Sequence, residues 1–368
     1  MRMRVSRYVA ANYLTNLAGS GGIILAIFLV TDFVDRVKAY SGENWIRDVF
    51  VVYGFKSGVA LQQLGPALLL IASGMAVSSM RQRGETVALG ALSFGPSSIF
   101  VPIAVCAAVC CIGLVVFDEI WVTHASRRVD EIMAQRFDRR GGDWKTYFAP
   151  KQWYRKNDRI FYVRAGSTGQ GFADVSIFEM TPDFRLRRRI DAQRMEFNRE
   201  TSWHLLGAQI RDFRSDGTAP VSKVAEIDLE LGAEPGLFRI LQGRPEQMRI
   251  RALSEQIQAR QAAGLPDRPF SLALHNRFAY PLAGIPASLL TAGLALRRSR
   301  RGYLTTALAE GLVVTLIFWG LMIVCRTLAV AQRMSPQIAA WLPVLLLTVA
   351  ASALWLHYEG RLTPMSRR

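Results

Sequence analysis

The chain has no GxxxxGK[ST] loop, no HExxH and no CxxC, and its four histidines, His124, His204, His275 and His357, stand far apart. A phosphate loop needs glycines that bare backbone N–H groups and a lysine behind them, and a metalloprotease needs two imidazoles on one helix face. ATP hydrolysis by this chain, a metal centre and a resident cofactor are therefore not expected, and no catalytic constellation can be assembled. "AGSGGI" at residues 18–23 lacks the strand and lysine of a nucleotide loop. Its small residues read instead as a place where a neighbouring helix approaches closely. Cys106, Cys110, Cys111 and Cys325 all lie in apolar runs and none in the polar insert. That insert must fold on its own core, without disulfides. The absence of internal repeats and low-complexity tracts excludes a repeat architecture.

What is present is apolar length. Hydrophobic residues make up 51% of 368, although the chain carries 45 Lys and Arg. That combination suits a membrane protein with segregated charge. Six runs reach or approach the roughly 20 apolar residues that span a bilayer: Tyr8 to Thr31, Ser57 to Met80, Val87 to Phe117, Phe278 to Leu296, Gly302 to Cys325 and Met334 to Tyr358. The first is too long for a signal peptide and has no small-residue cleavage site, so a retained helix is expected. Short loops set orientation by their Lys and Arg. With both termini cytoplasmic, that side holds Arg2, Arg4, Arg7, Arg81, Arg83, Arg297, Arg298, Arg300, Arg301, Arg361, Arg367 and Arg368 against Glu85 and Glu359. The insert from about Thr123 to Arg268 then lies outside.

From Asp158 the insert reads as strands separated by turn residues: "RIFYVRAG", "GFADVSIFEM", "LRRRIDAQRMEFN", "SWHLLGAQIRDF" and "KVAEIDLEL". This spacing predicts an antiparallel sandwich or roll. In the last strand Val224, Ile227 with its shifted phase, Leu229 and Leu231 give one mostly apolar face. Helical flanks are expected in "RRVDEIMAQRF" and "EQMRIRALSEQIQARQAAG", the second ended by Gly264 and Pro266.

Two charged groups stand out. Arg36, Lys38 and Arg47 gather at the outer mouth, and Lys56 opens the second run. Cations at membrane depth snorkel, pair with Asp32, Asp35 or Asp48, or hold an anionic ligand through charge-assisted hydrogen bonds. Their gathering favours an anionic lipid. At the cytoplasmic face, "MRQRGETVALGALSFGP" offers Arg83 and Glu85 ahead of a short helix that Pro96 is expected to end. Such a loop can be a solvated turn, or can dock in a groove of a soluble subunit with the acid and base fixing register.

The order of these stretches resembles the lipopolysaccharide-export permease family LptF/LptG. The resemblance spans nearly the whole chain through "RYVAANYL", "FVDRVKAY", "LGPALLLIASGMAVSSMRQRGETVALGALSFGP", "NRFAYPLAGIPASLL" and "MSPQIAAWLP". "FVDRVK" looks more like the LptG branch. The resemblance implies an α-helical membrane fold of six transmembrane helices with an inserted antiparallel, β-jellyroll-like periplasmic domain. Residues 1–125 would hold helices 1–3 with a coupling loop at about 80–96, residues 126–268 the β domain and its flanking helices, and residues 269–368 helices 4–6. It further implies a non-enzymatic permease subunit in the bacterial inner membrane, partnered by an LptF-type chain, two LptB-type ATPases that use the ATP, an LptC-type subunit and an LptA-type bridge, and no nucleic acid. Lipopolysaccharide would be the substrate. By position, Arg36, Lys38 and Lys56 match basic residues that contact its phosphates, with Arg47 beside them. Glu85 matches the acid that couples to the ATPase, with Arg83 beside it. Transport of phospholipid or lipoprotein, or a structural or sensing role, are the alternatives. The register of Arg127 and Arg128 is not matched, and Glu310 and Arg326 receive no role.

Overall fold

The computed structural model describes residues 2–40, 45–133, 137, 152–156, 158–167, 171–183, 185–197, 202–213, 218–229, 245–262, 266–297 and 304–362. Of the expected breaks at Gly166 to Gly171, Asn198 to Thr201 and Ser215 to Pro220, residues 168–170, 198–201 and 215–217 lie outside them, as do Leu231, the helix end at Gly264, and Arg298, Arg300, Arg301, Arg367 and Arg368. The chain divides into two compact units. One comprises Met1–Phe137, Pro245–Ile250 and Arg268–Arg368, the other Asp138–Arg244 and Arg251–Asp267.

In the first unit six helices are long and apolar enough to cross a membrane. They are α1 (Arg2–Arg36), α2 (Trp45–Gln82), α4 (Ser97–Phe117), α7 (Arg268–Leu282) with α8 (Gly284–Arg297), α9 (Leu304–Val330) and α10 (Pro336–Leu362). Most outrun the expected apolar stretches, because helical hydrogen bonding continues past the apolar limit once water can solvate the side chains. The third expectation is corrected at both ends. Gly84 at φ 77° and Ser93 at φ 62° set apart a short helix α3 (Glu85–Ala91). Pro96 caps the start of α4 and does not end α3. Proline has no N–H to donate into a helix from upstream, yet its fixed φ suits a helix start. Beyond Phe117 the helix runs on through a π turn (Asp118–Val122) into α5 (Thr123–Ile132).

The second span is the most buried, 72% of its most apolar window against 6% for the first. Neighbours bond to its exposed carbonyls: Asn12 Nδ2 to Ala76 O at 3.1 Å, Tyr13 OH to Leu69 O at 3.3 Å and Thr291 Oγ1 to Leu70 O at 2.7 Å. Ser73 Oγ donates in return to Ser288 O at 2.7 Å. Lipid tails are as apolar as leucine, so such polar links and close backbone approach hold membrane helices together. The close approach is not at "AGSGGI", contrary to expectation. A Cβ on Gly19 or Gly22 would meet nothing within 4 Å, and one on Gly21 only Leu68 at 3.7 Å. Tight positions in the spans include Gly65, Gly284 and Gly293, where a Cβ would stand 2.6 Å from Leu114, 2.6 Å from Leu69 and 2.4 Å from Leu354.

The second unit contains one antiparallel sheet whose six strands pair in sequence order: β1 (Gln152–Lys156), β2 (Arg159–Ser167), β3 (Gly171–Met180), β4 (Leu186–Phe197), β5 (Trp203–Asp212) and β6 (Val221–Leu229). Five match expected strands; β1, "QWYRK", has no alternation to announce it. One face carries the core: Phe161, Val163, Phe172, Val175, Ile177, Ile190, Ala192, Met195, Trp203, Leu205 and Ala208, with Ala259 of α6 (Ile250–Ala262) packed on it. Inward phase changes along β3, β4 and β5, from 172 to 175, 192 to 195 and 205 to 208. The ladders pass over Asp174, Gln193, Gly207 and Ala225, one position on each of four neighbouring strands. Asp174 and Gly207 there have φ of 51° and 62°. This transverse crease accounts for the phase of Ile227.

Candidate functional site

The end of the helical unit where α1 stops holds the expected cations. Asp32, one turn before Arg36, lies against α2. Its Oδ1 stands 3.3 Å from Arg36 Nε, and its Oδ2 is bonded by Lys56 Nζ. Tyr53 OH donates to the same Oδ2 at 2.7 Å and accepts from Tyr40 OH at 3.3 Å. Lys56 also stands over the Tyr53 ring, 5.4 Å from its centroid. One carboxylate therefore serves two cations and a phenol, with Phe33, Tyr40 and Tyr53 packed around it. Lys38 and Arg47 are exposed and have no ion-pair partner among the described residues. Asp35 is exposed and Asp48 buried, so acids and bases are interleaved rather than massed.

At the other end of α1, Tyr8 OH donates to Glu85 Oε1 at 2.8 Å and Arg83 Nε stands 2.9 Å from that oxygen. Gly84, in the left-handed region, turns the chain so that Arg83 and Glu85 face each other across the start of α3. No residue of α3 is buried. Val87 and Leu92 expose more than half their surface, and a cavity of about 680 Å³ between α1 and α3 is lined by Arg4, Tyr8, Glu85 and Leu89 among others. Glu85 Oε2 is enclosed and has no hydrogen-bond partner among the described residues.

A third polar cluster went unassigned in the sequence reading. Arg277 of α7 is buried, its Nη1 2.7 Å from Asp118 Oδ2 and 3.5 Å from Glu119 Oε2, both on the π turn. Its Nη2 donates to Glu246 O at 3.0 Å and to Met248 O. Ionisable groups at the apolar edges were the available signal: "DE" directly follows the third run and "R" directly precedes the fourth. Of the unmatched basic residues, Arg326 pairs with Glu246 at 3.2 Å, Arg127 donates to Gln247 O at 2.9 Å and Arg128 pairs with Glu131 at 3.0 Å.

Six spans interrupted after the third by a β-rich insert describe a multi-pass membrane protein whose polar groups sit at the helix ends. No curated protein matches the sequence. The model of the lipopolysaccharide export system permease LptF/LptG family matches residues 7–357, from the first turns of α1 to the last of α10 and across the whole insert. That span leaves almost nothing of the chain outside the match, and the chain belongs to the LptF/LptG family of lipopolysaccharide export permeases.

Proposed function

We propose that this chain is the LptG-like permease subunit of an ABC-type exporter that takes lipopolysaccharide from the outer leaflet of the inner membrane and passes it to a periplasmic bridge. An LptF-type chain would complete the membrane body, two LptB-type ATPases would hydrolyse ATP, and LptC- and LptA-type proteins would receive the lipid. Both termini would be cytoplasmic and the sheet unit periplasmic, jellyroll-like and in the path of the lipid. "FVDRVK" at the end of α1 supports the LptG branch. The observation that carries the reading is the separation of the two polar ends of α1. Arg36, Lys38, Arg47 and Lys56 stand at one end and the Tyr8–Glu85–Arg83 group at the other. A phosphate oxygen competes with Asp32 for Arg36 and Lys56, and Lys38 and Arg47 add further donors. The bare α3, with Glu85 and Arg83 fixing register, suits a groove on the ATPase.

A photo-crosslinking residue at Val37, between Arg36 and Lys38, tests this in membranes containing the assembled complex. A lipopolysaccharide adduct that diminishes on ATP turnover is expected, and R36E/K38E should lose both adduct and export while still assembling. An adduct with phospholipid alone, or normal export by R36E/K38E, would refute the assignment.

A further inference from the structure

The chain re-enters the helical unit through Pro245–Ile250, six residues whose regular structure is a 3-10 turn over Pro245–Gln247 and the first residue of α6. So short a piece cannot hold its own position, yet side chains from three spans bond to it. Arg277 of α7 donates to the carbonyls of Glu246 and Met248. Glu119 of the π turn accepts from Ile250 N, at 3.0 Å to Oε2 and 3.3 Å to Oε1. Arg127 and Asp130 of α5 take the two ends of the Gln247 amides: Arg127 Nε reaches Gln247 O at 2.9 Å, and Gln247 Nε2 reaches Asp130 Oδ2 at 2.6 Å. Arg326 of α9 pairs with the Glu246 carboxylate.

Arg277 is the hub, with 6% of its side chain exposed. Balancing Asp118 alone would require one face of the guanidinium; here the other amino group is spent on main-chain oxygens of the segment. A planar fork can hold a carboxylate and two carbonyls at fixed angles, and an ammonium cannot. The π turn, a form that recurs at functional sites, places Asp118 and Glu119 where Arg277 and Ile250 N are reached together.

We infer that Arg277, held by Asp118 and Glu119, is a positioning residue for lipid transfer. It fixes the returning segment to the third, fourth and fifth spans, so that displacement of those helices is passed to the chain leading into the second unit. The inference rests on the export reading above and goes further in assigning the step that follows extraction.

The test uses the assembled complex with its ATPase in lipid nanodiscs. It compares R277K with the unmodified chain in four readouts: amide exchange at Met248 and Ile250, ATP hydrolysis, the Val37 adduct, and lipopolysaccharide passed to a soluble β-rich acceptor. R277K retains the charge opposite Asp118 and is expected to raise exchange about tenfold and lower transfer about tenfold, with hydrolysis and adduct within about twofold. Raised exchange with undiminished transfer overturns the inference, as does a parallel loss of hydrolysis, adduct and transfer, which marks a merely structural role. Should R277K fail to assemble, R127A/Q247A loosens the same segment from partly exposed positions. It is expected to give the same split, about threefold in size, and undiminished transfer with raised exchange overturns the inference equally. If the unmodified chain itself gives no lipopolysaccharide adduct at Val37, the export reading falls and carries this inference with it.

Discussion

Replacing Arg277 by methionine preserves most of its volume and removes its charge. Asp118, only 9% exposed, would then lack its cation, with Glu119 beside it and two carbonyls without their donor. Removing one partner of a buried pair costs about 3–5 kcal/mol, because the remaining charge is neither solvated nor compensated. Adding Asp118→Leu removes that stranded charge. The double variant should recover about 2 kcal/mol, leaving the cost of the unbonded carbonyls and of Glu119. The order of unfolding midpoints in detergent, followed by tryptophan fluorescence, is therefore expected to be wild type, then D118L/R277M, then R277M. D118L alone should be destabilised because it strands Arg277, so a double variant more stable than R277M cannot arise from the sum of the two single effects. Equal or lower stability of the double variant refutes the reasoning. It would mean that water in the adjoining cavity of about 540 Å³, which Asp118 lines, already solvates the carboxylate.

Glu85→Arg removes the acceptor of Tyr8 and places a second cation beside Arg83, so export should be lost and ATP hydrolysis uncoupled, with the spans intact; full export in a reconstituted assay discards the docking role. In the sheet, His204 Nδ1 pairs with Asp228 Oδ1 across β5 and β6 at 2.7 Å, and this hydrogen bond raises the imidazole above its ordinary value, with Glu226 and Glu196 adding to the effect. A pKa raised on folding gives stability that is complete below the unfolded value of about 6.5 and is lost as pH climbs through the folded one. Amide exchange in β5 and β6 should therefore quicken as pH rises through that window, after correction for intrinsic rates, and D228N should flatten the response; an unchanged profile in D228N removes His204 as its source. Trp203, fully buried, should cost about 3–5 kcal/mol when cut to alanine. Exchange should then rise throughout the sheet and stay unchanged in α2, whereas protection retained in β3 and β4 would contradict a single core.

The six spans and five of the strands were legible because each announces itself locally, by twenty apolar residues or by alternation between turn residues. The change of phase between Val224 and Ile227 was visible in the sequence, but its cause was not, since the crease exists only where Asp174, Gln193, Gly207 and Ala225 are brought side by side. Arg277 and Asp118 are 159 positions apart. No window contains both, and each alone looks like a charge at the end of an apolar run. The sequence groups Arg36, Lys38, Arg47 and Lys56 as cations with Asp32 among their possible partners, but does not show that one carboxylate joins Arg36 to Lys56. The "AGSGGI" expectation failed because small residues permit close approach without demanding it. Within this chain no helix takes up the offer at Gly19 or Gly22.

The burial of α1 is uneven along its length. Val9 and Tyr13 are fully buried and Tyr13 is bonded to α2, whereas Ile23, Ile27, Val30 and Val34 form an exposed stripe toward the far end. From Tyr13 to Arg36 the helix runs 23 residues, about 35 Å at 1.5 Å per residue, and meets α2 again through Ile24, Asp32 and Phe33. A tilt of about 5° would carry Arg36 through about 3 Å, close to the reach of an ion pair. The Asp32–Lys56 bond and the Phe33–Tyr53 contact join this end to α2, whereas the Asp32–Arg36 pair lies within α1 and would move with it, so a tilt of that size would release Lys56 alone.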